Sequence, residues 1–255
     1  MVKLIFCIDF KKECKIVQNI IKENMLDDTV TWLKNKKELK GVYLDWTFPE
    51  NLKDKVVRAS KKKGINLIEN YLKHKYNKKV IEERTVKIEE RWKLVENDFL
   101  KYANIIFGYE LKYKKYYVYV SHFQPWARST GKTTIFIPDK LLPNKREKTY
   151  IDLVSHELLH KFLHQFYIKH EKFFKEKKIS YDCWEDEISE LLIPIIQYWS
   201  PMSRIMSKQM NYWKTRFKKI LSKELELRWK RRKNFKEFVF LLSYMYMTCE
   251  KSSDR

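Results

Sequence analysis

Residues 154–164 read VSHELLHKFLH. Ile151, Leu153, Val154, Leu158, Leu159, Phe162, Leu163 and Phe166 surround three histidines and a glutamate, and neither glycine nor proline interrupts them. Such a run predicts a long α-helix buried nearly all round. An imidazole or carboxylate buried there costs free energy unless a partner neutralises it. His156, Glu157 and His160 form H-E-x-x-H. At 3.6 residues per turn, side chains four apart stack on one face. Two imidazoles so placed can reach one zinc ion at about 2.1 Å. Glu157, next to His156, is rotated beside that ion, where it suits a base for a water molecule. His164 lies about 12 Å along the axis from His156, too far to share the ion, and is assigned a supporting or structural place. Two blander readings compete: a chance match to the motif, and core histidines satisfied by other partners.

Outward from this helix, the chain divides by pattern. VKLIFCIDF (2–10) alternates as a strand and KKECKIVQNIIKEN (11–24) carries apolar residues at helical spacing, giving a β-then-α opening. WTFPEN (46–51) and KKKGIN (61–66) read as turns, and 78–104 as one helix. KYYVYVSHF (115–123) and KTTIFIPDK (132–140) are β-branched and aromatic, and are expected to pair as a hairpin across a long loop. TGKTT (130–134) resembles half of a phosphate-binding loop, but Trp126 holds the first glycine's place and a strand follows, so it is assigned to the hairpin. Helices are expected over 150–175, 182–200, 203–233 and 235–249, with Pro194 a kink and Pro201 a boundary. The expected fold is α+β: small N-terminal and hairpin β elements with a mainly helical C-terminal half. One domain over 1–255 is the simplest parse: an N-terminal α/β region of unassigned role (1–110), a core (111–200) and a basic helical region (201–255).

Composition sets the limits. With 255 residues, 44% hydrophobic and 15% aromatic, the chain can bury a full core. Four glycines disfavour glycine-rich phosphate loops and many-turned β folds. Cys7, Cys14, Cys183 and Cys249 include no C-x-x-C pair, as expected of reduced thiols in a cytoplasmic protein. The N-terminus lacks the apolar run of a signal peptide, and FVFLLSYMYM (238–247) is too short to span a bilayer, so no membrane span is expected.

HELLH on an apolar helix reached from a β-hairpin resembles the zincin superfamily of metallopeptidases over about residues 115–200. The metzincin branch continues with a glycine and a third histidine; Phe166 stands in that place, so the likeness is to the gluzincin branch, whose third ligand is a Glu from a following helix. The candidates lie in YDCWEDEISELLIPIIQYW (181–199). Glu185 is explained by a capping box, Asp182-x-x-Glu185. Glu190 is the only charge in ISELLIPIIQYW and is the expected ligand. Glu187 is the alternative, as ligand or as a carboxylate steadying a ligating imidazole. The resemblance implies a peptide or protein substrate, Zn2+ held by His156, His160 and Glu190, and Glu157 as general base. It also implies a substrate-pairing edge strand, for which TTIFIP (133–138) is the candidate, and an oxyanion donor, open among Tyr198, Tyr212 and His170.

A second class stays open. The net charge is +21, and the basic stretch 204–236 interleaves Tyr212, Trp213, Phe217 and Trp229 with lysines and arginines. Such a pattern fits a non-catalytic nucleic-acid-binding protein with a structural metal. It equally fits an amphipathic helix, since Met206, Met210, Trp213, Phe217, Ile220 and Leu221 keep helical spacing.

Overall fold

Beside strands that alternate buried and exposed residues, long helices dominate this computed structural model, which describes residues 2–22, 48–123, 127–139, 148–199, 201–206, 225 and 227–253. The chain is α+β, with one four-stranded mixed sheet and a mainly helical C-terminal half. It divides into two compact units: one comprises Lys3–Trp92 and Lys115–Val154, the other Met1–Val2, Lys93–Lys114 and Ser155–Arg255.

The first unit holds the sheet: β1 (Lys3–Cys7), β2 (Lys115–Ser121), β3 (Arg128–Thr130) and β4 (Thr134–Pro138), in the order β1-β2-β4-β3. The expected hairpin is corrected here. β2 pairs with β4 in parallel, Val118 opposite Ile135 and Val120 opposite Ile137. Residues 122–133 supply the roughly dozen residues that a parallel connection needs. Only the short β3 runs antiparallel to β4, joined through Gly131 at φ 53°. TGKTT is therefore hairpin, as its glycine suggests, but of β3 with β4. β4 lies between two neighbours and buries Ile135, Phe136 and Ile137, so it is not an edge; the edges are β1 and β3.

Helices α1 (Phe10–Lys22), α2 (Glu50–Arg58), α3 (Lys61–Leu72) and α4 (Lys78–Lys93) complete this unit. Cys14, Val17, Ile20, Ile21, Val56, Ile68 and Leu72 share one core. The turn expected at 61–66 is helical instead. Gly64 sits inside α3 because a Cβ there would lie 2.0 Å from the Gln18 Nε2 of α1, which donates to the Lys61 carbonyl. Glu13, buried at 2% exposure, accepts from the His122 and Phe123 amides through one oxygen. Asp139 bonds Arg84 at 2.6 Å and the His122 ring at 3.1 Å.

The second unit is helical. The helix expected over 78–104 breaks at Val95, and α5 spans Glu96–Phe107. α6 (Lys148–Lys169) carries the H-E-x-x-H run, and the boundary between units falls within it. Next come α7 (Glu171–Glu176), α8 (Tyr181–Cys183), a π-helical turn (Trp184–Ser189), α9 (Glu190–Trp199), a 3-10 turn (Pro201–Arg204), helical residues 227–231 and α10 (Phe235–Ser253). Leu158, Leu159, Phe162 and Leu163 are fully buried. Phe162 stacks on Phe107 at 4.9 Å and Phe166 on Trp184 at 6.0 Å. The cap of α8 is Ser180, which accepts from the Cys183 amide, and not the expected Asp182. Most of the helix expected at 203–233, with Tyr212, Trp213 and Phe217, lies outside the described residues, as does Trp126. Trp229 is described and is core: it is 1% exposed and packs on Phe235 and Phe238, so it offers no face to a nucleobase. Cys7, Cys14 and Cys183 form no disulfide with one another, and no helix among the described residues is long and apolar enough to cross a membrane.

Candidate metal centre

The site lies entirely in the second unit, where α6 and α9 run antiparallel. Two polar bridges set that register. At one end Gln197 of α9 donates to the Ser155 hydroxyl of α6 at 2.6 Å. Five residues along α6, His160 meets Glu190 and Ser189. Gln197 and Glu190 are seven residues apart, two helical turns, so both point at α6. Ser155 and Gln197 are buried polar groups that satisfy each other, a bond worth about 1 kcal/mol and costly to half-break.

His156 and His160 bring their Nε2 atoms to 3.2 Å from one another. The Glu190 carboxylate faces both: Oε1 is 3.1 Å from His160 Nε2 and Oε2 is 3.6 Å from His156 Nε2. Ligands about 2.1 Å from a tetrahedral ion lie about 3.4 Å from each other, so these separations have the scale of one such ion's donor set. The three side chains keep 25%, 12% and 26% of their surface exposed, so solvent reaches the cluster. Structural metal sites close all positions with protein atoms, whereas catalytic sites keep one open.

Glu157 is 4% exposed, and one of its oxygens lies within 4.8 Å of a ring nitrogen of each histidine. By donor spacing His156, Glu157 and His160 form a group able to hold a metal ion, and Glu190 faces the same two imidazoles from α9 at 3.1 and 3.6 Å. Burial raises the Glu157 carboxyl above its usual range, against the opposing pull of His156 and His160. Burial also works against ionised Glu190, but hydrogen bonds from His156 and His160 and their charges outweigh it and hold that carboxyl well below the usual range. For His156, burial is overcome by the hydrogen bond to Glu190 and the charge of Glu157, and its pKa is raised. The two carboxyls that face one pair of imidazoles are thus driven apart, Glu190 kept ionised and Glu157 raised.

Ser189 was not singled out by the sequence. Its hydroxyl sits 3.3 Å from His160 Nδ1 and 2.5 Å from the Glu185 carbonyl. A carbonyl only accepts, so the hydroxyl proton points to Glu185 and the oxygen accepts from Nδ1–H. That contact holds the Nδ1 edge of the ring at Ser189, so that Nε2 faces Glu190 and His156. The π-helical turn just before Glu190 supplies this placement; such turns gather at functional sites. Glu187 is exposed, and Glu185 contributes its carbonyl. His164 is tied to the Tyr181 hydroxyl at 2.7 Å, away from the cluster. His170 packs its ring on Phe166 and Phe240. Tyr212 lies outside the described residues.

Comparison with family models, curated proteins and solved structures finds no match for this chain.

Proposed function

We propose that the chain is a zinc-dependent metallopeptidase, with His156, His160 and Glu190 holding the ion and Glu157 as general base. The observation that carries this reading is the approach of the Glu190 carboxylate to both imidazole Nε2 atoms, at 3.1 and 3.6 Å. The donor set, two imidazole nitrogens and a carboxylate oxygen that solvent can reach, is one that zinc favours. Zinc, when bound, acts as a Lewis acid on the scissile carbonyl and lowers the pKa of water.

The remaining work falls to the protein's own groups. Glu157 stands beside the histidines with a raised pKa, poised to accept a proton from attacking water and return it to the departing amine. Glu190 stays ionised and competes poorly for that proton. Ser189 holds the Nδ1 edge of His160 and so orients its ring. The apolar walls of α6, with Leu158, Leu159 and Phe162 fully buried, stiffen the helix that spaces the two imidazoles.

The test is a peptide-hydrolysis assay on the purified full chain, with and without a chelator, beside Glu157→Gln. Hydrolysis should be lost with chelator and restored by zinc. The Gln variant should keep its metal and fall by about 10²–10⁴-fold in rate. Wild-type activity in the Gln variant, or activity indifferent to chelator, refutes the mechanism.

A further inference from the structure

The C-terminal corner of the second unit carries a cleft that the metal centre does not use. Helical residues 227–231 meet α10 through a tight corner. There Asn234 Oδ1 accepts from the Glu237 amide at 2.8 Å and Glu237 Oε2 accepts from the Lys233 amide at 3.2 Å. These reciprocal caps fix the angle between the two helical segments. The cleft of about 340 Å³ that opens at the corner is lined by Leu227, Arg228, Arg231, Arg232, Glu237, Phe238 and Leu241. Ligand sites start at roughly that size.

Arg228, Arg231 and Arg232 all line this cleft. Arg232 is held ready: its Nη1 donates to the Trp229 carbonyl and its guanidinium lies 3.6 Å above the Trp229 ring. A guanidinium has five N–H donors, and that bond uses one. Arg231 is exposed beside it. Leu227, 46% exposed, gives the cleft an apolar wall. Among the described residues the lining holds three arginines and one glutamate, a formal charge of +2. A phosphomonoester carries about −1.5 to −2 at neutral pH and presents oxygens that match the arginine fork.

We propose that this cleft is a phosphomonoester-binding site, taking the phosphate of a free nucleotide or of the 5′ end of a nucleic-acid strand against Arg231 and Arg232. It stands independently of the metal centre, being built from other residues.

The test titrates the full chain with a nucleoside monophosphate, and with two single-stranded oligonucleotides of one sequence, 5′-phosphorylated and 5′-hydroxyl. In the wild type the phosphorylated strand should bind about tenfold more tightly, the scale of one charge-assisted contact. Arg231→Gln should erase that difference, and Arg231→Lys should restore only part of it. Lys233→Gln removes a neighbouring exposed charge outside the lining and should leave the difference intact. Arg231-dependent binding of the nucleoside monophosphate assigns the site to a free ligand; binding of the phosphorylated strand alone assigns it to a strand end. Equal affinity for both strands with no binding of the monophosphate overturns the proposal. So does an equal loss in Lys233→Gln, or wild-type behaviour of Arg231→Gln.

Discussion

Ser189→Ala isolates the contribution of one hydroxyl to the proposed centre. In the native chain that hydroxyl spends its proton on the Glu185 carbonyl at 2.5 Å and accepts from His160 Nδ1 at 3.3 Å. Alanine removes the acceptor, so His160 is free to turn or to take the tautomer that protonates Nε2, the atom 3.1 Å from Glu190. Loss of a partner of this kind typically lowers metal affinity by about 10–100-fold, or about 1.4–2.7 kcal/mol. Folding should suffer less. The Glu185 carbonyl loses one donor, and a neutral hydrogen bond is worth about 1 kcal/mol. The assay is zinc competition against a chromophoric chelator, with chemical denaturation of the metal-free protein run alongside. Ser189→Thr, which keeps the hydroxyl, should recover most of the affinity. Unchanged zinc affinity in a folded Ser189→Ala protein refutes the tautomer reasoning, and so does a loss of affinity that threonine fails to repair.

Two further outcomes follow from the two cores. Burial lifts the Glu13 carboxyl from its ordinary 4.5 to about 7, so between those pH values the folded chain binds more protons than the unfolded one and stability falls as pH rises. At 1.36 kcal/mol per pKa unit the loss is about 3 kcal/mol; Glu13→Gln should lack it, and matching pH–stability profiles for the two proteins contradict the assignment. Phe162→Ala, removing a fully buried ring stacked on Phe107, should cost about 3–5 kcal/mol in a denaturant titration, and a cost below 1 kcal/mol would mean the helix is not core.

The parts legible in the sequence are those where a local pattern meets a single physical demand. α6 could be read because its apolar residues leave no polar face, and Glu190 because a lone charge in an apolar run needs a partner. Long-range pairing was not legible. β2 and β4 look like a hairpin because they are neighbours in sequence, yet β3 caps β4 on its far side and leaves β2 and β4 parallel. That arrangement also removes β4 as the edge for substrate pairing. Gly64 reads as a turn residue, although its role is to let Gln18 approach α3. Ser189 and Gln197 carry no signal in sequence: each is a small polar interruption of an apolar run, and their partners His160 and Ser155 lie 29 and 42 residues away. Ser180 displaced Asp182 as the cap because both can accept from an amide two or three residues on, and composition alone does not choose between them.

Zinc content of the purified full chain, measured for the wild type and for His156→Ala and Glu190→Ala, bears on the central claim most directly. The three groups whose donor atoms lie 3.1–3.6 Å apart should hold one ion per chain in the wild type, and each variant should bind it at least tenfold more weakly while remaining folded. One zinc per chain at undiminished affinity in Glu190→Ala, or no zinc in the wild type after reconstitution, contradicts it.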